Sequence, residues 1–459
     1  MTEQYDAIVI GTGQAGPALA VRLAQSGRKT AIIERKLFGG TCVNVGCVPT
    51  KTLIASARAA YIARRGAKYG VMIDGQIRVD MARVKARKDA VVKQSNEGLT
   101  KWLKDTAHLT VIEGHGRFES PHMVSVNDKL LEANEIFINV GGRASVPDIA
   151  GLAGISYYTN SSMMDIDFLP EHLVIIGGSY IGLEFAQMYR RFGSRVTVIE
   201  TGPHLIGRED EAVSAAIQKI LEGEGIVVHL NAQCMEVTKH ADGVAVKISC
   251  GKTPLEVAGS HLLLAVGRTP NTDDLGLDKA GVTTDKHGYI TVDDQLRSNV
   301  AGIWALGDAN GRGAFTHTSY NDYEIVAANL LDNDPRRVTD RIPAYALFID
   351  PPLARVGLSE REVKATGRRA LVGRMDMTRV GRARERGETQ GLMSVLVDAE
   401  TQKILGAALL GIEADEAIHA ILDVMAADVP YTVIQRAMHI HPTVSELIPT
   451  LLGNLKPLA

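Results

Sequence analysis

Apolar residues in this chain come in short unbroken runs, each closed by glycine. Ala7-Ile8-Val9-Ile10 leads into Gly11-Thr12-Gly13-Gln14-Ala15-Gly16 and then into a helical stretch through Ala24. A continuous run of this length predicts a strand buried on both faces, where alternation would predict one wet face. A second strand, Thr30 to Ile33, ends at Glu34. The order then recurs. Leu173 to Ile176 reads as a strand, Gly177-Gly178-Ser179-Tyr180-Ile181-Gly182 as a turn, and the residues to about Phe192 as a helix. The next strand, Arg195 to Ile199, ends at Glu200. The interval from Gly11 to Glu34 equals that from Gly177 to Glu200. From about residue 342 the pattern changes, and strands such as Leu392 to Val397 and Ile404 to Leu410 precede helices.

Each glycine turn predicts a specific chemistry. Glycines at these spacings allow a tight turn and bring a helix N-terminus against a pyrophosphate. An acid ending the second strand takes the hydroxyls of a ribose. Strand, turn, helix, strand and acid in order make a dinucleotide site, where the glycines alone would be weak evidence. The candidate residues are Gly11, Gly13, Gly16 and Glu34 in the first copy. In the second they are Gly177, Ser179, Tyr180, Gly182, Glu200 and, further on, Gly267. Ser179 stands where the middle glycine is usual, which predicts a less intimate approach to the phosphates.

Composition sets the bounds. The chain has 459 residues, enough for about three domains, with 45% hydrophobic residues and 45 glycines. A net charge of −3 implies no polyanionic partner. Arg374 to Arg386 holds five arginines and reads as a solvated hairpin. No basic leader and no apolar run of membrane-spanning length is present, and four cysteines make no disulfide scaffold. A cytoplasmic protein that meets neither membrane nor nucleic acid is expected.

Two of those cysteines carry the chemistry. Cys42 and Cys47 lie five positions apart in Gly39-Gly40-Thr41-Cys42-Val43-Asn44-Val45-Gly46-Cys47-Val48-Pro49-Thr50-Lys51, directly after the first nucleotide unit. On the first turn of a helix, thiols so spaced can close into a disulfide and reopen, and the helix N-terminus favours the thiolate. A zinc half-site would need a second ligand pair. Only Cys234 and Cys250 remain, remote from the first two, so no metal site is expected. Two nucleotide sites and a dithiol suit an enzyme that moves a hydride's two electrons between a nicotinamide, a flavin and a disulfide.

With these motifs the chain resembles the pyridine nucleotide-disulfide oxidoreductases, whose members include dihydrolipoamide dehydrogenase, glutathione reductase and mercuric reductase. The resemblance covers essentially the whole chain. It implies FAD on the first unit and NAD(P)H on the second. It implies Cys42 as the interchange thiol and Cys47 as the charge-transfer thiol beside the flavin. Lys51 and Glu184 match a pair near the flavin N5, and Tyr180 matches the aromatic that covers the nicotinamide pocket. Thr41 falls within the redox motif at the flavin. Gly302-Ile303-Trp304-Ala305-Leu306-Gly307-Asp308 resembles the second FAD motif, its Asp308 holding the ribityl chain. His439-Ile440-His441-Pro442-Thr443-Val444-Ser445-Glu446 resembles the family's H-P-T-x-x-E signature. It implies His441 as the acid–base for the thiols, oriented by Glu446, with His439 structural.

The same resemblance implies two Rossmann-like domains and an α+β dimerisation domain. The FAD domain spans 1–147 and resumes at 268–341, the NAD(P) domain is inserted at 148–267, and 342–459 form the dimerisation domain. A homodimer follows in which His441 serves the partner's dithiol. Glu200 favours NADH, with NADPH possible. The substrate is expected to be a small disulfide, or a dithiol in the reverse direction. The alternative acceptor is a metal ion, Cu(II) or Hg(II). The stretch Leu451 to Ala459 lacks the terminal cysteine pair of mercuric reductases. The segment Phe315 to Tyr323 departs from the lipoamide dehydrogenase pattern. With Pro351 to Gly357 and Thr389-Gln390-Gly391 it looks closer to the reactive-chlorine-resistance and mercuric-reductase-like branch. A third reading, a redox-sensing or complex-bound subunit, is disfavoured by the intact Cys42, Cys47, His441 and Glu446.

Overall fold

The computed structural model describes residues 2–241, 243–249 and 254–458. Two five-stranded parallel sheets form its centre. The first runs in the order Ile303–Ala305, Glu135–Ile138, Ala7–Ile10, Thr30–Glu34, Leu109–Glu113. The second runs Tyr158–Thr159, His261–Leu264, His172–Ile176, Arg195–Ile199, Val227–His229. Strand Ala7–Ile10 is buried along its whole length, as its unbroken apolar run requires. Strand Ile303–Ala305 returns to the first sheet after the second is complete, so the second unit is an insertion in the first.

A four-stranded sheet containing Thr2–Gln4 and Lys129–Glu132 packs beside the first unit. Three antiparallel strands, Met235–His240, Gly243–Ile248 and Leu255–Gly259, flank the second. The C-terminal unit is a six-stranded antiparallel sheet that includes Leu353–Gly357, Ile404–Leu410 and Leu392–Asp398, with short helices after it.

One hydrophobic cluster crosses all three units. It joins Leu53 and Ala57 of helix Cys47–Arg64 to Leu183 and Phe185 of the second unit and to Leu347, Leu353 and Leu410 of the third. A buried ionic junction lies at the same meeting point. Arg191 binds Glu224 at 2.7 Å and Asp350 at 2.5 Å, and it stacks over the Tyr61 ring at 3.8 Å. Arg58 binds Asp350 and Glu388. Removing one partner of such a buried pair costs about 3–5 kcal/mol, because the other charge is left uncompensated. The junction therefore fixes helix Cys47–Arg64, whose first residue is Cys47, against both other units.

Two expectations are corrected. The dithiol does not lie on one helix turn. Cys42 belongs to the short helix Gly40–Asn44, and Cys47 is the first residue of Cys47–Arg64. The chain breaks at Val45-Gly46, where a Cβ on Gly46 would meet the Thr41 carbonyl oxygen at 2.8 Å. Arg374 to Arg386 does lie on a hairpin, since strand Ala370–Asp376 pairs antiparallel with Leu392–Asp398, but its connection is not a simple solvated turn. It leaves strand Ala370–Asp376 and ends in helix Gly381–Glu385, anchored by the buried Val380 and Ala383. The Arg386 carbonyl accepts from the Tyr69 hydroxyl at 2.6 Å.

Candidate redox site between the nucleotide units

Gly11 and Gly177 open the two turns with φ of +102° and +117°, a region that side chains with a Cβ avoid. Gly16 and Gly182 begin the helices' approach. A Cβ there would stand 2.2 Å from the Gly11 oxygen and 2.0 Å from the Gly177 oxygen. Gly13 is packed as closely, its Cβ position lying 2.9 Å from Asn139 Oδ1. Helices Gly16–Gln25 and Tyr180–Phe192 thus present their N-termini at cradles that only glycine can line. Ser179 is the N-cap of its helix in extended backbone, so a glycine is not needed there.

The strand-end acids face these turns. Glu34 Oε2 accepts from the Thr12 amide at 3.0 Å and the Thr12 hydroxyl at 2.6 Å. Glu200 accepts from the Gly178 amide at 2.6 Å and the Gly202 amide at 2.7 Å. In each case the carboxylate is pinned at the mouth of the turn with lone pairs to spare for ribose hydroxyls. The glycine cradle and its acid fit a dinucleotide in both units. Asp308 completes the first, at the start of the 3₁₀ turn Gly307–Asn310 and paired with Arg268 at 3.2 Å. Gly267 has φ +138° and open space at its Cβ position apart from Ser145 Oγ at 4.0 Å.

The dithiol is packed onto the first cradle. Gly40 would place a Cβ 3.0 Å from Gly13 Cα, and the Gly39 amide donates to Thr12 Oγ1 at 3.1 Å. Thr41 Oγ1 lies 3.5 Å from the Gly142 oxygen. Cys42 and Cys47 are free thiols, Cys42 half-buried and Cys47 exposed. Their sulfurs hydrogen-bond to each other. That bond, the Thr316 hydroxyl and the Lys51 charge outweigh burial and lower Cys47 to about 6. The same bond and burial push Cys42 up. Within the pair the charge is favoured on Cys47 and the proton on Cys42. Cys234 is disulfide-bonded, and Cys250 lies outside the described residues. Among the described residues no group of three or more His, Cys, Asp or Glu could hold a metal ion.

Lys51 and Glu184 meet across the two units at 2.8 Å, with Glu184 buried. Glu184 also accepts from the Phe348 amide at 3.0 Å, and Lys51 lies over the Phe348 ring at 4.6 Å. Tyr180 stands edge-on to Phe315 and to Tyr345, with centroids at 5.9 and 5.6 Å. Burial raises the Tyr180 hydroxyl to about 12, so it stays neutral.

The C-terminal acid–base candidate lies elsewhere on the surface. His441 Nδ1 pairs with Glu446 Oε2 at 2.9 Å, and the imidazole is 78% exposed. Met438 and Ile440 beside it are 100% and 80% exposed. His439 faces the Ala437 carbonyl at 3.1 Å.

Sequence reasoning missed three residues here. Buried Asn139 receives the Gly16 amide at 2.9 Å and donates to the Leu306 oxygen at 3.1 Å, tying the glycine turn to the Asp308 motif. Arg268 neighbours Asp308. Thr316 sits against Cys47 at 3.1 Å. None belongs to a spaced motif, and the fold alone brings them to the site.

Comparisons with known proteins agree with this architecture. The family model for pyridine nucleotide-disulphide oxidoreductases matches residues 5–322, and the model of that family's dimerisation domain matches 343–452. RclA of Escherichia coli K12, a probable pyridine nucleotide-disulfide oxidoreductase, is 35% identical over 99% of this chain and 100% of its own. Mercuric reductase of Streptomyces lividans is 32% identical over 97% of this chain and 94% of its own. The mitochondrial dihydrolipoyl dehydrogenase of Pisum sativum is 31% identical over 97% and 90%. The solved Cu(II) complex of the HOCl-induced flavoprotein disulfide reductase RclA from Escherichia coli superimposes with a TM-score of 0.89, at 34% identity and 99% coverage of both chains. No helix among the described residues is long and apolar enough to cross a membrane. The chain belongs to the pyridine nucleotide-disulfide oxidoreductase family, and is a flavoenzyme that uses FAD and NAD(P)H to interconvert a disulfide and a dithiol.

Proposed function

We propose that Cys42 and Cys47 are the redox pair of this enzyme, and that each has a separate task. The carrying observation is their placement: the dithiol packs on the first glycine cradle, with Cys47 against the Thr316 hydroxyl and one helical turn before Lys51, whose pairing with Glu184 joins the two nucleotide units. Bound FAD supplies two-electron transfer between the nicotinamide and the sulfur pair. Lys51, held by Glu184, keeps a positive charge beside Cys47, and Tyr180 covers the nicotinamide side. Cys42 exchanges with the substrate disulfide. Its proton passes to His441, whose tautomer Glu446 fixes. The exposed His441 with bare Met438 and Ile440 supports a homodimer in which the imidazole serves the partner's thiols. Domain limits at 147, 267 and 341 belong to this reading, as does a cytoplasmic setting, which cell fractionation checks.

NADH is the preferred coenzyme in this reading. The carboxylate of Glu200 is fixed by two amides where a 2′-phosphate would sit. Like charges so placed cost several kcal/mol, so kcat/KM with NADH exceeds that with NADPH by at least about tenfold. Arg208 and His204 follow in the sequence as candidates to reach such a phosphate. Equal or better kcat/KM with NADPH overturns the assignment.

A disulfide is the proposed acceptor. Reduction of a metal ion is the second reading, favoured by the relative solved as a Cu(II) complex. NADH oxidation measured with lipoamide, glutathione disulfide, Cu(II) and Hg(II) tests both. Turnover of a disulfide that exceeds turnover of either metal ion is the expected result. Sustained metal-dependent oxidation with no disulfide turnover favours the second reading.

A further inference from the structure

Thr316 has no role assigned in the Phe315 to Tyr323 segment that contains it, yet its hydroxyl oxygen lies 3.1 Å from Cys47 Sγ. It is the first residue of the 12-residue helix Thr316–Ala327, half-buried and held by that helix's backbone. Cys47 is likewise the first residue of the 18-residue helix Cys47–Arg64. The sulfur therefore meets a hydroxyl able to donate to it and the positive end of its own helix.

A reduced dithiol carrying one negative charge has two ways to hold it. The S–H of either sulfur can donate to the other, and alone the pair is nearly symmetric. Something outside the pair must decide. Resting on the assignment of Cys47 as the charge-bearing sulfur, we infer that Thr316 is a positioning residue whose hydroxyl donates to Cys47 and keeps the charge there. The proton then stays on Cys42, where a base can collect it. No bond between heavy atoms changes in this step, and no electron moves.

The other groups facing Cys47 act with or against it. The Cys42 S–H and the Lys51 charge favour the thiolate, as Thr316 does, while burial and Glu184 oppose it. Thr316 also favours ionisation of Cys42, but there the Cys47 contact and burial outweigh it. Lys51 is neutralised in part by Glu184 at 2.8 Å. What separates the two sulfurs is geometric: the 3.1 Å contact of the Thr316 hydroxyl is with Cys47.

Two-electron-reduced holoenzyme gives the test. The long-wavelength absorbance of a thiolate beside oxidised flavin is followed against pH in wild type, Thr316→Val and Thr316→Ser. Wild type should lose the band as pH falls through about 6. Thr316→Val, which keeps the shape and removes the donor, should move the midpoint up by about one pH unit, a tenfold change in the ionisation constant. Thr316→Ser should return it close to wild type. An unmoved midpoint in Thr316→Val overturns the inference, as does a Thr316→Ser midpoint that moves with valine. If Thr316→Val does not fold, Thr316→Ala against Thr316→Ser decides by the same titration. A wild-type enzyme with no such band, or with a band that survives Cys47→Ser, would instead remove the assignment on which the inference rests.

Discussion

A Cys42→Ser enzyme is expected to bind flavin, to be reduced by NADH at close to the wild-type rate, and to turn over no disulfide. The reason is the division of labour between the sulfurs. Exchange needs a thiol that can form a mixed disulfide, and serine offers no such chemistry. Cys47 remains in place at the N-terminus of helix Cys47–Arg64, with Lys51 and Thr316 still favouring its charge. The long-wavelength thiolate absorbance should therefore persist in this variant. In Cys47→Ser it should vanish along with turnover. Stopped-flow absorbance separates the two. Band loss in Cys42→Ser with retention in Cys47→Ser would exchange the two assignments.

Replacing His441 by alanine should slow thiol interchange by about 10²–10⁴-fold, the usual range for general acid–base catalysis, and leave flavin reduction by NADH near wild type. His441 is 78% exposed on one chain, an unusual setting for a proton-transfer group that needs a dry, fixed geometry. The apolar Met438 and Ile440 beside it are equally bare, and the surrounding residues match the dimerisation domain model. A second subunit placed over this surface resolves both features. Co-expression of a Cys42→Ser chain with a His441→Ala chain then has a definite outcome. In the mixed dimer one site carries both lesions and the other carries neither. Under two-fold symmetry with independent sites, about half of the wild-type activity per dimer should return. Isolated mixed dimers as inactive as both parents would mean that each site is built within one chain.

The two nucleotide units were legible in the sequence because each depends on local rules. An unbroken apolar run makes a doubly covered strand, and a positive φ at Gly11 and Gly177 can be met cheaply only by glycine. Glu34 and Glu200 were visible for the same reason, since each ends the strand at a fixed offset from such a turn, while Cys42 and Cys47 stood out by their own spacing and Lys51 by the family resemblance. The break between the two cysteines was not. It arises where Gly46 closes against the Thr41 carbonyl, and a C-x4-C spacing is equally compatible with one continuous helix. Asn139, Arg268 and the contact that Thr316 makes were invisible, although the segment Phe315 to Tyr323 stood out, because elements far apart in the sequence come together at the site. Thr316 meets Cys47 across 269 positions of chain. The helix inside the Arg374 to Arg386 hairpin was missed for a related reason. The segment's charges are conspicuous, whereas the burial of Val380 and Ala383 that makes a helix of it depends on the neighbouring sheet.

The central claim is that electrons from the nicotinamide come to rest on the Cys42–Cys47 pair. Oxidised holoenzyme is mixed anaerobically with one equivalent of NADH per subunit, alkylated, and digested for peptide mapping. The account predicts that Cys42 and Cys47 are unlabelled before NADH is added and that both are labelled after it. A reduced flavin accompanied by an unreacted Cys42–Cys47 disulfide would contradict it.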